Sequence, residues 1–324
     1  MLTALVAGLG MTIILAFLLP LAAPRFALAF LAAALGVPLL LVRATRRAGA
    51  AGVEAAGALR VGAPDGARGR IGIRALGAQG RVFLATQPDL AHRQLVLKFS
   101  PIRGQEHLSL ARVQHTFIVP IYFAREEPER NLRVFSMPYL GGATLAQLLH
   151  ALEATSPARR SGADLAGLLR KSTPVAGHTT PRALEMAGQD YVSAILSIGI
   201  SLAEALHYIH QRGLAHLDLK PSNVLITADG DPMLLDFHLA REPVRPDGPR
   251  PEWFGGTPEY MPPEQRRALE AIRNHEPIAD TIDGRADVFS LGLVLYESLA
   301  GQTVSVEQGL PPPLERRQPS ITPG

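Results

Sequence analysis

The sequence contains no cysteine among its 324 residues. Disulfide bonds, thiolate metal sites and cysteine nucleophiles are therefore excluded. Lysine is nearly as scarce, since only three of the 32 basic residues are lysines and the other 29 are arginines. Hydrophobic residues make up 47% of the chain and charged residues 19%, a composition that excludes a largely disordered protein.

The first 42 residues contain a single charged side chain, that of Arg25. Apolar runs at residues 1–23 and 26–42 flank it, and each reaches the roughly 17–20 residues that a helix needs to cross a bilayer. We therefore predict a transmembrane helical hairpin at residues 1–42. One span with an interfacial segment is an alternative, and so is a cleaved signal sequence, although the first ten residues lack the positive charge typical of one.

Residues 43–70 form a basic, Ala/Gly-rich linker. This linker contains six arginines and two acidic residues, which gives a net charge of +4. Arginines directly after an apolar run indicate the cytoplasmic side of the membrane. We predict that residues 1–47 contact membrane lipid. Alternatively, the linker is only a flexible spacer. Because the basic residues are not interleaved with aromatic ones, no nucleic-acid partner is predicted. Once the linker and Arg25 are subtracted from the total of +3, residues 71–324 carry a net charge of −2.

From residue 71 the sequence changes to short apolar runs separated by glycines and polar residues. Runs at 70–76, 80–86 and 94–99 predict three antiparallel strands. Residues 191–211 and 287–301 have apolar side chains at helical spacing. A strand-rich part therefore precedes a larger helical part, which is an α+β arrangement.

Polar residues typical of phosphoryl transfer are concentrated in one loop and just after it. The loop AHLDLKPSNVLI contains Asp218, Lys220 and Asn223, and Asp236 follows in the segment LLDFHLA. Phosphoryl transfer requires a carboxylate beside the attacking hydroxyl, a cation near the transferred phosphate and oxygen ligands for magnesium. These residue types at this spacing supply all three.

Together with GGTPEYMPPE at residues 255–264, these motifs resemble those of eukaryotic-like (Hanks-type) serine/threonine protein kinases, over about residues 74–301. The resemblance implies a two-lobed protein-kinase fold, with a small antiparallel β lobe, helix C and the hinge at 71–140 and a larger helical lobe at 141–324. It also implies that ATP and Mg²⁺ bind between the lobes, and that the γ-phosphate passes to Ser or Thr hydroxyls of a protein substrate.

The resemblance gives the polar residues roles one by one. Asp218 would accept or orient the proton of the substrate hydroxyl, and Lys220 would steady the γ-phosphate. Asn223 and Asp236 would hold magnesium. Thr257 would contact the catalytic loop from the end of the activation segment.

Lys98 matches the strand lysine that binds the α- and β-phosphates, with Glu106 as its ion-pair partner. Two of the three lysines therefore fall where a compact ammonium group is required, in a chain that otherwise uses arginine. Asp287 matches the helix aspartate that anchors the catalytic loop. The other nucleotide-binding positions that the resemblance implies are Gly77, Gly80, Val82, Val96, Met137, Pro138, Leu140 and Leu225.

The sequence departs from the family pattern in ways that bear on regulation. Leu217 replaces the arginine that normally pairs with a phosphate on the activation loop, and Thr257 and Tyr260 are the only hydroxyl residues between positions 236 and 264. We therefore predict a kinase that does not need activation-loop phosphorylation. His238 replaces a glycine and restricts the backbone without removing the metal ligand. Because no charged catalytic group is lost, an active enzyme is favoured over a pseudokinase scaffold or a membrane-tethered interaction module.

Two further segments carry expectations. No arginine follows residue 301 in the place where the family supplies a partner for Glu264, and the last helices of the large lobe have no match, so we predict a lobe that is incomplete at its C-terminus. A fragment of a longer reading frame is the simplest explanation; a natural truncation stabilised by a partner is the alternative. The insertion at 150–188 is rich in Ser, Thr and Pro and is predicted to be a disordered loop, with autophosphorylation or partner docking as a hypothesis. The sequence indicates neither the protein substrate, nor the upstream signal, nor the oligomeric state.

Overall fold

The computed structural model describes residues 59–62, 68–77, 80–87, 93–102, 113–172, 180–302, 313–316, 318 and 321. The hairpin predicted for residues 1–42 and most of the basic linker lie outside these ranges. The chain forms two compact units, of which the first comprises Met1–Ala75 and Phe83–Leu95 and the second Leu76–Val82 and Val96–Gly324.

A six-stranded sheet has the strand order β1-β2-β3-β4-β6-β5. Its strands are β1 (Leu59–Gly62), β2 (Arg68–Gly77), β3 (Gly80–Gln87), β4 (Arg93–Ser100), β5 (Phe123–Glu127) and β6 (Leu132–Pro138). Pairing is antiparallel between β1 and β2 and between β5 and β6. The three strands predicted from the sequence are confirmed as β2, β3 and β4. Along β4, Leu95, Leu97 and Phe99 alternate in sequence and are all buried, which is the pattern of a strand with one apolar face.

The described residues contain six α-helices. These are α1 (Leu145–Ala151), α2 (Gly162–Ser172), α3 (Pro181–Gly188), α4 (Tyr191–His210), α5 (Pro263–Arg273) and α6 (Gly284–Ala300). The helices predicted at 191–211 and 287–301 are confirmed as α4 and α6.

Helix α4 is the centre of the large apolar core. The Asp190 side chain caps its N-terminus by accepting a hydrogen bond from the Ser193 amide (2.8 Å). Of the described helices, α4 alone is long and apolar enough to cross a membrane, but half of its most apolar stretch is buried inside the protein. Ile195, Ile198 and Leu202 are at most 2% exposed within the core, so packing accounts for the apolar side chains on the buried face of this helix.

The described parts of the insertion at 150–188 contain the end of α1, a short 3-10 helix at Pro157–Arg159, and helices α2 and α3. The prediction of a disordered loop is therefore wrong for residues 150–172 and 180–188. Helix α2 buries Leu165 and Leu169, which lie one turn apart on the same face. The Ser161 hydroxyl and amide both donate to the Asp164 carboxylate (2.8 Å each) and stabilise the first turn. The Ser-, Thr- and Pro-rich composition concealed this apolar spacing.

Near its end, the chain packs back onto the same core. Leu314 and Ile321 contact the large apolar cluster, and the Gln318 side chain donates to the carbonyl of Pro157 (3.2 Å). Glu264, in the first turn of α5, makes no hydrogen bond or ion pair with any residue that the structure describes. An incomplete large lobe stays a prediction.

A small three-stranded sheet positions the loops that carry the polar motifs. Its strands are β7 (Ala143–Thr144), β8 (Val224–Ile226) and β9 (Pro232–Leu234), all antiparallel. The loop from 214 to 223 leads into β8, and Asp236 lies two residues after the end of β9. Because β8 and β9 are hydrogen-bonded neighbours, their short hairpin brings the two motifs to one side of the second unit.

Candidate active site

A buried carboxylate at the start of α6 holds the loop in place. Asp287 is fully buried and accepts hydrogen bonds from the backbone amides of His216 and Leu217 (2.8 Å each). The imidazole of His210, at the end of α4, lies 2.7 Å from the same carboxylate. One side chain thus fixes the loop against two helices.

The backbone takes an uncommon conformation at two positions beside the polar motifs. Leu217 has φ 63° and Asp236 has φ 61°, in the left-handed region that non-glycine residues rarely occupy. Such residues cost roughly 1–3 kcal/mol each and persist where surrounding contacts over-determine them. At Leu217 those contacts are the bond to Asp287 and a bond from the Gln265 side chain to the Leu217 carbonyl (2.9 Å).

Asp218 is the centre of a compact polar cluster and is only 3% exposed. The Thr257 hydroxyl donates to its Oδ1 (2.7 Å), and the Lys220 ammonium lies 3.0 Å from its Oδ2. The same ammonium donates to the Thr257 hydroxyl (2.6 Å). Asn223 donates through Nδ2 to both the carbonyl and the carboxylate of Asp218 (2.8 and 3.1 Å). A carboxylate, a cation, a hydroxyl and an amide therefore converge within hydrogen-bonding distance.

Asp236 is the second carboxylate of the site. The Lys98 ammonium lies 2.6 Å from its Oδ1, and Nδ1 of His238 lies 2.7 Å from the same oxygen. Burial alone would raise the pKa of Asp236, but the hydrogen bond from His238 and the charge of Lys98 outweigh burial and hold this pKa well below its usual range. The carboxylate is therefore ionised, and none of the described residues donates to its Oδ2.

The structure brings Lys98 to Asp236 across 138 positions of the chain. Glu106, the predicted partner of Lys98, lies outside the described residues, so that pairing stays a prediction. Gly77 ends β2 and Gly80 begins β3. The other predicted nucleotide-binding residues are all partly exposed, and they are Val82 on β3, Val96 on β4, Met137 and Pro138 at the end of β6, Leu140 just after β6, and Leu225 on β8.

A second apolar cluster, here called the Leu217 cluster, lies next to Asp218 in the sequence and joins four parts of the chain. Its nine buried members are Ala215, Leu217, Leu239, Val244, Phe254, Ala268, Ile278, Ile282 and Ala286. They come from the catalytic loop, the segment between Asp236 and α5, helix α5 with the connection after it, and the first turn of α6. The cluster ties the segment after Asp236 to the loop that carries Asp218.

A cavity of about 190 Å³ opens beside Lys220 and is bordered by α1, the loop and α6. Tyr260 and Glu297 line one part of it, and their side chains are hydrogen-bonded to each other. Arg160 and Glu153 line another part. The cavity is therefore lined by side chains of both charges beside Lys220.

Several contacts of this site were missed by the sequence reasoning. His238 was expected only to stiffen the backbone, and its bond to Asp236 was not foreseen. The roles of His210 and Gln265 in holding the loop were not predicted either. A histidine two residues after the predicted metal-ligand aspartate was a local signal for the first contact, whereas the other two depend on tertiary packing.

Comparison with known proteins agrees with this geometry. The family described as "Protein kinase domain" matches residues 99–311. The DNA damage-responsive serine/threonine-protein kinase RqkA of Deinococcus radiodurans is 28% identical over 207 residues, which cover 61% of this chain and 23% of the relative. Serine/threonine-protein kinase PknB of Mycobacterium tuberculosis is 29% identical over 203 residues, or 61% of this chain and 25% of the relative. The mouse dual specificity protein kinase TTK is 39% identical over 105 residues, or 32% and 12% of the two chains.

The matched segments thus span about a quarter of the two bacterial relatives. The family match covers well over half of this chain and includes the loop, both carboxylates and the Leu217 cluster. Sheet and helices have the α+β, two-lobed architecture that the motifs implied. The chain therefore belongs to the protein kinase domain family.

Proposed function

We propose that the chain is a membrane-anchored serine/threonine protein kinase that transfers the γ-phosphate of ATP, with Mg²⁺, to Ser or Thr hydroxyls of a protein substrate. In this proposal residues 1–42 are a transmembrane hairpin, 43–70 a linker at the membrane surface, and 71–140 and 141–324 the two lobes on the cytoplasmic side. The observation that carries the proposed activity is the convergence of Lys220, Thr257 and Asn223 on the carboxylate of Asp218.

The contacts of Asp218 support its role as the group that orients the substrate hydroxyl. Thr257 and Lys220 each bind one of its oxygens and so fix the plane of the carboxylate. A hydroxyl arriving beside it would donate its hydrogen bond to this carboxylate, whose position is already set. Lys220 places a positive charge next to the acceptor, where the transferred phosphate would carry negative charge.

The residues assigned to the metal fit a hard divalent cation. Nδ2 of Asn223 is committed to Asp218, and its Oδ1 accepts no hydrogen bond from a described residue. Oδ2 of Asp236 is likewise without a described donor. Amide and carboxylate oxygens are the ligand types that Mg²⁺ takes together with substrate phosphates. When bound, the ion would neutralise charge that develops on the phosphates.

The Leu217 cluster supports a kinase that works without activation-loop phosphorylation. Leu217 is 4% exposed and packs with Leu239, Val244 and Phe254, which lie in or near the activation segment. Apolar packing therefore orders this segment in the place where the family arginine would bind a phosphate. The Tyr260 hydroxyl is bound to Glu297, so phosphorylation of that residue would break an existing contact.

Transfer from labelled ATP tests the proposed activity. The wild-type chain, carried in vesicles, is expected to phosphorylate a mixed Ser/Thr peptide library. Asp218→Ala is expected to lose at least about 100-fold of that rate, since a positioned general base contributes 10²–10⁴. Asp247→Ala is the matched control, because Asp247 is exposed on the segment before α5. Equal transfer by wild type and Asp218→Ala would overturn the assignment. Stabilisation by nucleotide without transfer would favour the pseudokinase scaffold.

Fractionation tests the proposed anchor separately. The full chain is expected in the membrane fraction after a high-salt wash, because two apolar spans do not depend on charge. A chain lacking residues 1–42 should be released by salt, since only the basic linker would hold it. Recovery of the full chain in the soluble fraction would contradict the hairpin.

A further inference from the structure

Among the described residues, His238 makes one polar contact, and that contact is with the carboxylate of Asp236. Nδ1 of His238 lies 2.7 Å from Oδ1 of Asp236, and the imidazole is 13% exposed. Its other nitrogen, Nε2, is buried and has no hydrogen-bond partner among the described residues. The ring orientation is therefore set by Asp236 and not by a competing polar group.

We propose that His238 is a positioning residue that fixes the carboxylate of Asp236 through a hydrogen bond from Nδ1, and thereby presents Oδ2 to the metal. The inference rests on the proposed function to the extent that Asp236 is taken as a magnesium ligand. It assigns a role to a side chain that replaces the family glycine, which has no side chain.

The donor in this contact follows from the acceptor. An ionised carboxylate only accepts hydrogen bonds, so the proton lies on Nδ1 of His238. Both Nδ1 and the Lys98 ammonium bind Oδ1, at 2.7 and 2.6 Å. Two donors on one oxygen fix the rotation of the carboxyl group about its last bond. The second oxygen is then held in one direction without a donor of its own.

His238 matters most once Lys98 is shared with another anion. In the proposed function Lys98 also binds nucleotide phosphates, which weakens its contact with Asp236. His238 is attached two residues from Asp236 and keeps its bond in that state. A glycine at 238 would leave Lys98 as the only described donor to the carboxylate and would widen the backbone freedom next to a residue at φ 61°.

Outer partners of metal ligands change metal affinity in a characteristic way. Their removal costs about 10–100-fold in metal affinity, because an unconstrained ligand must be ordered when the metal binds. We therefore expect His238→Leu, which fills the space without a donor, to raise the half-saturating Mg²⁺ concentration about tenfold. His238→Asn should stay within about threefold of wild type, because its amide can donate over the same short reach as Nδ1.

The test is a Mg²⁺ titration of the full chain at a fixed ADP concentration. Binding is monitored through the rise in melting temperature, so the measurement does not depend on phosphate transfer. His207→Leu is the matched control, because this histidine is exposed on α4 and contacts Gln211. The melting temperature without metal is measured for every variant to separate packing from positioning. Because Nε2 of His238 has no described partner, replacing the imidazole with leucine should leave the metal-free melting temperature within a few degrees of wild type.

Each outcome decides the inference. A loss of Mg²⁺ affinity in His238→Leu that His238→Asn recovers supports it. Equal affinities in wild type and His238→Leu overturn it, as does an equal loss in both variants, and so does a wild-type chain with no Mg²⁺-dependent stabilisation. A wild-type chain that binds the metal but transfers no phosphate would contradict only the proposed activity. The role of His238 would then still be decided by the same titration.

Discussion

Leu217→Ala tests whether apolar packing orders the activation segment. The leucine is 4% exposed in the Leu217 cluster, and its backbone is held by Asp287 and Gln265. Alanine keeps the backbone bonds and removes the side chain that packs within the Leu217 cluster. The substitution therefore isolates the apolar contribution.

The expected loss of folding free energy is about 3 kcal/mol, within the range of about 2–5 kcal/mol for buried leucines. A middle value is appropriate because the cluster is small, and Leu269 and Ile272, which pack on it and are partly buried, can close part of the cavity. For a domain of this size, each kcal/mol lowers the melting temperature by about 2–4 °C, so a fall of about 6–12 °C is expected. Leu217→Gly loses the same contacts but is relieved of left-handed strain, and should lie within about 1 kcal/mol of Leu217→Ala.

The assay combines thermal unfolding, hydrogen exchange of residues 239–256 and peptide phosphorylation after phosphatase treatment. Leu217→Ala should speed exchange in that segment and lower activity, whereas Leu202→Ala in the large core should lower stability without a selective effect there. Wild-type activity should survive the phosphatase. A loss below about 1 kcal/mol in Leu217→Ala, or a wild-type enzyme silenced by phosphatase, would refute the reasoning, since Leu→Ala at a packed site costs at least about 2 kcal/mol.

Three other substitutions follow from single contacts. Gly256→Ala should lower stability and activity together, because Gly256 has φ 138° and an added Cβ would lie 2.8 Å from Nε2 of Gln265; thermal unfolding and peptide transfer measure both. Burial, with the bond to Glu297, raises the pKa of Tyr260, so the folded state keeps the proton above pH 10, where unfolded tyrosine loses it. This part of the stability therefore falls as pH rises past 10, and denaturant unfolding of Tyr260→Phe at pH 9 and pH 11 should show a smaller decline than wild type. Arg160→Leu should cost about 2 kcal/mol in urea unfolding, since a buried guanidinium that donates to carbonyls at 2.9 and 3.0 Å is lost and those acceptors are left without it.

The proximity of the catalytic-loop residues could be predicted from the sequence because they are local, whereas their roles stay predictions. Asp218, Lys220 and Asn223 lie within six positions, and a short loop cannot place them far apart. Helices α4 and α6 were also predictable, since each keeps its apolar side chains at helical spacing over four turns or more. In both cases the determining interactions lie within one segment.

What could not be predicted depends on tertiary contacts or on weak local signals. The bond between Lys98 and Asp236 joins residues 138 positions apart, and spacing alone does not select Asp236 over another acid. In the insertion, Leu165 and Leu169 form an apolar stripe that spans only one turn, surrounded by residues typical of loops. Such a stripe forms a helix because it packs against the large core, and the sequence alone does not show that packing.

Leu217 and His238 replace two residues that are usual in the family, and both replacements have the same kind of effect on the site. The usual residues at these positions, an arginine and a glycine, make the site depend on an added phosphate and allow the backbone to move. In this chain a buried leucine ties the activation segment to the catalytic loop, and an imidazole ties the backbone after Asp236 to its carboxylate. Both changes replace a conditional contact by a permanent one, since neither needs a phosphate or a metal to form. In the proposed function, a site built in this way would be ordered without activation-loop phosphorylation. Control of its activity would then have to act on access to the site, through the substrate or through the placement of the chain, and not on the order of the activation segment.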